Sequence, residues 1–324
     1  MPIPPATWHL AVETIRTAST VCMTCHVDPD GDALGSLLAL NLYLRGQGIP
    51  TVAGWSEPMV VPHHYDFLPG LSGLSAPEEF PESPEVLVSF DAGSMDRLGS
   101  LAPNVSRART IIVLDHHASS THFGHINVVD PHCAASAVLT HRLIREMGGP
   151  LDADIATCLY TGLITDTGRF QYQSTTPGIH RLASELLSFG IDHAEIARRV
   201  FETHSLGYLK VLAGVLDRIV QDSEGRLTWS VVTQADLKRC GVRVEDTEGV
   251  IDVVRTAEET DVTAVIKETV DGHYRVSLRS KGKVNVGRIA ETMGGGGHAN
   301  AAGFTAASQD LDALVATLRA LIPA

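Results

Sequence analysis

Thr20-Val21-Cys22-Met23-Thr24-Cys25-His26-Val27-Asp28-Pro29-Asp30-Gly31-Asp32-Ala33 runs from an apolar segment straight into one histidine and three carboxylates. The apolar part, 20–25, reads as a short buried strand. Pro29 and Gly31 break it, and Ala33 to Arg45 then reads as a helix. The acidic cluster therefore stands where a strand ends and a helix begins, the edge at which open α/β sheets bind ligands. Carboxylates this close repel one another and shift each other's protonation unless a cation sits among them. A divalent metal ion meets that need. A solvated, Asp-rich turn capping the helix, with Asp32 as N-cap, explains the same stretch without one.

Later stretches repeat the pattern. Val86-Leu87-Val88-Ser89-Phe90 is a second apolar run and ends in Asp91; Thr110-Ile111-Ile112-Val113-Leu114 is a third and ends in Asp115-His116-His117. In a parallel sheet the C-terminal ends of such strands share one edge, so these groups converge. Asp166 leaves a fourth apolar segment, 161–165, just past the end of a predicted helix from Asp154 to Ile164. Oxygen and imidazole donors in this mixture suit two divalent ions, Mn²⁺ or Mg²⁺, better than a structural zinc, which takes mainly Cys and His.

His26-x3-Asp30-x-Asp32, Asp91, Asp115-His116-His117 and Asp166-Thr167-Gly168 resemble, in order and spacing, the four motifs of the DHH phosphoesterase superfamily. Within it the chain is similar, over nearly its whole length, to the nanoRNases. These are bifunctional oligoribonucleases that also remove the 3′-phosphate of 3′-phosphoadenosine 5′-phosphate. The resemblance implies that His26 and Asp30 bind one metal ion, that Asp32, His116 and Asp166 bind a second, and that Asp91 bridges the two. It implies manganese first and magnesium as the alternative. His117 is expected to contact phosphate and protonate the leaving oxygen, with Asp115 orienting its neighbours. Asp28 is left without a role.

The second half carries its own signal. Leu227 to Val232 reads as a strand, Glu248 to Thr256 as a helix, and 262–268 with 273–279 as a hairpin turned by Asp271-Gly272. Four glycines, 294–297, precede His298. They read either as a flexible hinge or as a nest of N–H groups that approaches an anion. Gly295-Gly296-Gly297-His298 followed by Ala301-Ala302-Gly303 resembles the end of a DHHA1 domain. That resemblance implies that Arg279 and His298 grip the nucleotide or its phosphate, with Gly296 and Gly297 as backbone contacts.

The expected architecture is α/β: a mainly parallel, helix-flanked sheet in a catalytic DHH domain over 1–200, a helical linker over 201–222, and a smaller α/β DHHA1 domain over 223–324. The linker helix carries Leu206, Leu209, Leu212 and Leu216 at helical spacing, the polar turn 221–225 marks the boundary, and the active site is expected in the interdomain cleft. Cys22 and Cys25 have CxxC spacing, but on a strand they point to opposite faces, and no second pair completes a zinc site. The histidines of Pro62-His63-His64 read as loop residues, since no strand delivers them to the site edge.

The formal net charge of the 324 residues is −13. No basic stripe of the kind that holds long nucleic acids is visible, so the expected partners are short single-stranded RNA or DNA oligonucleotides and small phosphorylated nucleotides. No apolar stretch is long enough to span a bilayer and residues 1–20 show no signal-peptide pattern, so no membrane association and a cytoplasmic location are expected. A homodimer is compatible with the sequence. Within the superfamily a pyrophosphatase is disfavoured by the glycine-histidine motif. A processive exonuclease is disfavoured by the acidic charge. A cyclic-dinucleotide phosphodiesterase remains an alternative, and a non-catalytic nucleotide sensor has no use for a complete metal-ligand set.

Overall fold

The structure, a computed structural model, describes residues 3–222 and 225–323, so positions 223 and 224 of the expected boundary turn lie outside the described residues. The chain divides into two compact units, 1–203 and 204–324.

The first unit opens with α1 (Pro5–Thr17), β1 (Val21–Cys25), α2 (Gly31–Gly46), β2 (Thr51–Ala53) and β3 (Val86–Phe90). A 3₁₀ stretch, Met95–Leu101, and α3 (Ala102–Ser106) lead to β4 (Thr110–Asp115) and β5 (Ile126–Val129). Helices α4 (Ser136–Glu146), α5 (Ala153–Asp166), α6 (Pro177–Leu187) and α7 (His193–Ala197) follow. The five strands form one sheet in the order β2-β1-β3-β4-β5, and every neighbouring pair is parallel. β1 and β3 are buried at every position, which is why they read as continuous apolar runs rather than as alternation.

Alternate strand residues feed two cores. Val21, Met23 and Cys25 join the larger one with α1, α2, α4 and α5. Cys22, Leu87 and Ile111 join a smaller one under the 95–106 segment. Cys22 and Cys25 thus lie on opposite faces, and burial pushes the Cys22 thiol up to about 11, so the CxxC spacing forms neither a redox pair nor a zinc half-site. Glycines set the depth of the helix layer. A Cβ at Gly35 on α2 would stand 2.3 Å from the Cys158 carbonyl oxygen of α5, and one at Gly162 on α5 would stand 2.8 Å from Asp32 Oδ1. The close crossing of α2 and α5 brings the Asp32 end of one helix against the Asp166 helix.

The second unit holds α8 (Leu206–Asp217), β6 (Val220–Gln221), β7 (Leu227–Val232), α9 (Gln234–Cys240) and α10 (Val250–Val254). It continues with β8 (Val262–Glu268), β9 (Tyr274–Ser280), α11 (Val286–Thr292), β10 (Gly296–His298), β11 (Ala301–Ala306) and α12 (Leu311–Leu321). Its sheet runs β10-β11-β9-β8-β7-β6. β7 and β8 are parallel and the other pairs are antiparallel. Two details go beyond what spacing predicts. α8 buries Tyr208, Val211 and Val215, while Leu206, Leu209 and Leu216 are 68%, 47% and 39% exposed. The helix is apolar on more than one face, and spacing alone does not tell which one is covered. The glycine run is in part a strand: Gly297 pairs with Ala302, and its φ of 139° with a would-be Cβ 2.6 Å from the Ala301 carbonyl oxygen explains the residue type. Among the described residues no helix is long and apolar enough to cross a membrane.

Candidate metal centre

The exit of β1 is tied down by Val27 N–H, which donates to the Arg97 carbonyl at 2.9 Å. His26 Nδ1 lies 2.8 Å from the Val27 carbonyl oxygen. A proton on Nδ1 satisfies that bond and leaves Nε2 with its lone pair outward, the form that ligates metals. Asp30, not Asp32, is the N-cap of α2: its Oδ1 accepts from Asp32 N and Ala33 N, each at 3.0 Å. The cap fixes the carboxylate and leaves Oδ2 3.9 Å from His26 Nε2, so one oxygen caps the helix and the other faces the histidine.

Asp32 sits in the first turn of α2 and is fully buried. Its Oδ2 accepts from Ser136 N at 2.5 Å and its Oδ1 from Ala137 N at 2.8 Å. These are N–H groups of the first turn of α4, whose own N-cap, Ala135, offers no side-chain bond. Asp32 therefore caps another helix, where the N–H groups and the positive end of the dipole favour a carboxylate.

Asp91 follows β3 with φ at 53°, a left-handed conformation that Asp tolerates better than most side chains. Its N–H continues the parallel ladder to the Leu114 carbonyl at 2.9 Å. Oδ1 accepts from Ser136 Oγ at 3.0 Å and lies 3.3 Å from His116 Nε2, while Oδ2 lies 3.5 Å from His26 Nε2. His116 Nδ1 is 3.2 Å from the Cys133 carbonyl oxygen, which again directs Nε2 inward. That nitrogen is 3.0 Å from Asp166 Oδ2 at the end of α5 and 3.7 Å from Asp32 Oδ2. His26, Asp30 and Asp91 form one group able to hold a metal ion, and Asp32, Asp91 and His116 form another. Asp91 belongs to both, and Asp166 joins the second through His116.

His117 stands beside these groups. Its Nδ1 is 2.7 Å from Asp115 Oδ1, and its backbone N–H donates to the same oxygen at 3.2 Å. Asp115 is fully buried and so fixes the imidazole orientation. Asp28 is exposed, and His63 lies in a surface turn with Nδ1 2.9 Å from Asp66 Oδ2.

The electrostatics describe a centre short of positive charge. Burial, then Asp166 and Asp91, pushes the Asp32 carboxyl well above the usual range. Burial is also the main cause that pushes Asp166 up to about 6, against the bond from His116. Burial would lower His26, His116 and His117, but their carboxylate partners overcome it and raise all three. Asp91 goes the other way: burial would raise it, and the bonds from His116 and His26 hold it well below the usual carboxylate range. Protons thus accumulate on a crowded set of mixed oxygen and imidazole donors, the chemistry that hard and borderline divalent ions replace.

A consequence can be measured. A divalent ion must displace those protons. Affinity for Mn²⁺ is expected to fall as pH drops through about 6, where Asp166 takes up its proton, because a neutral carboxyl ligates poorly. Titration calorimetry in two buffers of different ionisation enthalpy reads the protons released. Binding that is proton-neutral and flat with pH would place the ion elsewhere.

The sequence reading missed Ser136, the Cys133 carbonyl and Arg97, whose Nη2 lies 3.4 Å from His26 Nδ1. Ser136 carried the one usable signal, a small hydroxyl residue ahead of an apolar run. In the second unit, Ala301 of β11 is the register partner of both Arg279 on β9 and His298 on β10. Register partners project from the same face, so Arg279 and His298 flank a small side chain in one row. The adjacent row on that face is Ser277, Gly303 and Gly296.

The N-terminal domain of the DHH family matches residues 20–163, and the DHHA1 domain matches residues 230–324. The chain is 34% identical over 305 residues to the bifunctional oligoribonuclease and PAP phosphatase NrnA of Thermus thermophilus, covering 94% of this chain and 89% of that protein. It is 27% identical over 323 residues to the protein of the same name from Bacillus subtilis, covering 96% and 98%. An exopolyphosphatase-related protein from Bacteroides fragilis superposes with a TM-score of 0.88 at 26% identity, covering 98% of this chain and 96% of that one.

Proposed function

The chain belongs to the DHH family of phosphoesterases, and from that premise we propose that it hydrolyses short oligonucleotides to mononucleotides and removes the 3′-phosphate of 3′-phosphoadenosine 5′-phosphate. The observation that carries this reading is the meeting of His26, Asp30, Asp32, Asp91, His116 and Asp166 at one sheet edge, with Asp91 common to two donor groups. The activities in the names of the NrnA relatives supply the substrate classes.

In this proposal residues 1–200 are the catalytic domain, 201–222 the linker and 223–324 the substrate-binding domain. His26, Asp30 and Asp91 hold one ion; Asp32, His116, Asp166 and again Asp91 hold the other, manganese first and magnesium as alternative. Bound there, two such ions supply Lewis-acid charge at the reacting phosphate. The protein's own residues do the rest. Ser136 and the two histidines fix the direction of the Asp91 oxygens. Asp115 holds His117 by Nδ1, and Nε2 is the atom assigned to meet the phosphate and give its proton to the departing oxygen. Arg279 and His298 grip a second phosphate or the terminal one, with Gly296 and Gly297 as backbone contacts. In both reactions water adds to phosphorus, the bond to a ribose oxygen breaks, and that oxygen leaves with a proton.

Substrate length tests the proposal. With a net charge of −13, the chain offers long strands few further phosphate contacts. kcat/KM is expected to be highest on oligonucleotides of a few residues and to fall with length. Two neutralised phosphates give a log–log salt slope of about −1.4 for a single strand. A kcat/KM that climbs into tens of nucleotides with a steep salt slope would falsify this reading in favour of a processive exonuclease. Turnover confined to cyclic dinucleotides would move the protein to that substrate class.

A further inference from the structure

If Arg279 grips phosphate, as the proposed function has it, the donors it can offer depend on what holds the rest of its guanidinium. Its side chain is 21% exposed. Nη1 donates to the Leu278 carbonyl at 3.1 Å. Nε is buried and, among the described residues, makes no hydrogen bond; Asp252 Oδ1 is in the same condition. The two atoms are 3.6 Å apart, close enough for an ion pair and just outside a hydrogen bond. A buried cationic N–H and a buried carboxylate oxygen left unmade are both costly, so each is the other's natural partner.

We infer that Asp252 is a positioning residue of the phosphate site, holding the Nε side of Arg279 inward so that its Nη1–Nη2 edge faces the ligand. A guanidinium carries five N–H donors in a planar fork. With Nε directed at Asp252 and one Nη1 hydrogen on Leu278, three donors remain, one on Nη1 and two on Nη2; one Nη2 hydrogen runs parallel to Nε–H and the other faces the Nη1–Nη2 edge. That edge can meet two oxygens of one phosphate, the bidentate arrangement in which arginine differs from lysine. On Arg279's own face of the sheet stand Ser277, Gly303 and Ala301, too small to obstruct a ligand there.

The helix that carries Asp252 is itself anchored. Glu248, one turn earlier and just ahead of α10, takes the buried Lys267 Nζ of β8 at 2.6 Å, which ties the entry to that helix to the sheet. Burial alone would raise the Glu248 carboxyl, but Lys267, Arg279 and Arg275 hold it below its ordinary range, which keeps this anchor charged. A competing partner for Asp252 is Arg255 on its own helix, Nη1 3.8 Å from Oδ1.

The test is a double-mutant cycle on the full chain, with 3′-phosphoadenosine 5′-phosphate as substrate. Asp252→Asn and Asp252→Ala are made in the native and Arg279→Ala backgrounds, with Arg255→Ala beside them. Asp252→Asn keeps the shape of the side chain should Asp252→Ala fold poorly, and melting temperatures check both. The expected result is a rise in KM of about tenfold with kcat nearly unchanged, and no further rise when Arg279 is already gone. Arg255→Ala should leave KM alone. An Asp252 effect that persists undiminished without Arg279, or that appears as a loss of melting temperature with KM intact, overturns the positioning role while leaving the phosphate reading standing. A KM indifferent to Arg279→Ala overturns both.

Discussion

Asp91→Ala is expected to lose hydrolysis and metal binding together. Its two carboxylate oxygens face different histidines, Oδ2 toward His26 Nε2 at 3.5 Å and Oδ1 toward His116 Nε2 at 3.3 Å, so it belongs both to the group of His26 and Asp30 and to that of Asp32 and His116. Removing it also frees Ser136 Oγ and leaves two buried imidazoles beside a cavity. The expected fall in kcat is about 10³-fold, the upper end for losing a preorganised charge at a reacting centre, or roughly 4 kcal/mol of barrier. Equilibrium dialysis with Mn²⁺, run beside the kinetics, checks the coupling. A variant that keeps near-stoichiometric metal and substantial turnover would end the two-ion assignment.

His117→Ala is expected to separate the two properties. The side chain is held by Asp115 rather than placed between the two donor groups, so metal uptake should survive. As a general acid it should be worth about 10²–10⁴ in rate. The loss should shrink on a substrate whose leaving group needs no proton, such as a nitrophenyl ester. Equal losses on good and poor leaving groups would reduce His117 to a phosphate contact. Lost metal binding would instead make it a ligand, a reading the grouping of Asp91, Asp115 and His117 permits.

Much of this centre was legible because strand exits are local. Each apolar run ends at a fixed residue, a parallel sheet puts all those ends on one edge, and His26, Asp91 and His116 arrive there whatever the loops do. Asp166 was legible for a similar reason, at the exit of a predicted helix that the structure extends to Asp166 itself. The opposite faces of Cys22 and Cys25 followed from the period of a strand, and their separate cores bear this out.

What the chain alone determined, then, is which side chains reach the edge. Which partner holds each one was settled by tertiary structure. Asp30 takes the cap of α2 and frees Asp32 for the N-terminus of α4, a helix about a hundred residues later. Ser136 reaches Asp91, and Asp252 reaches Arg279, across separations that no periodicity records. The burial of the α8 leucines was not legible for the same cause, since Tyr208, Val211 and Val215 took the covered face. A residue's direction along its own element is set by backbone geometry within a few positions. Its burial and its hydrogen-bond partner depend on which distant element packs against it, and packing selects that element by volume and by the need to satisfy buried polar atoms.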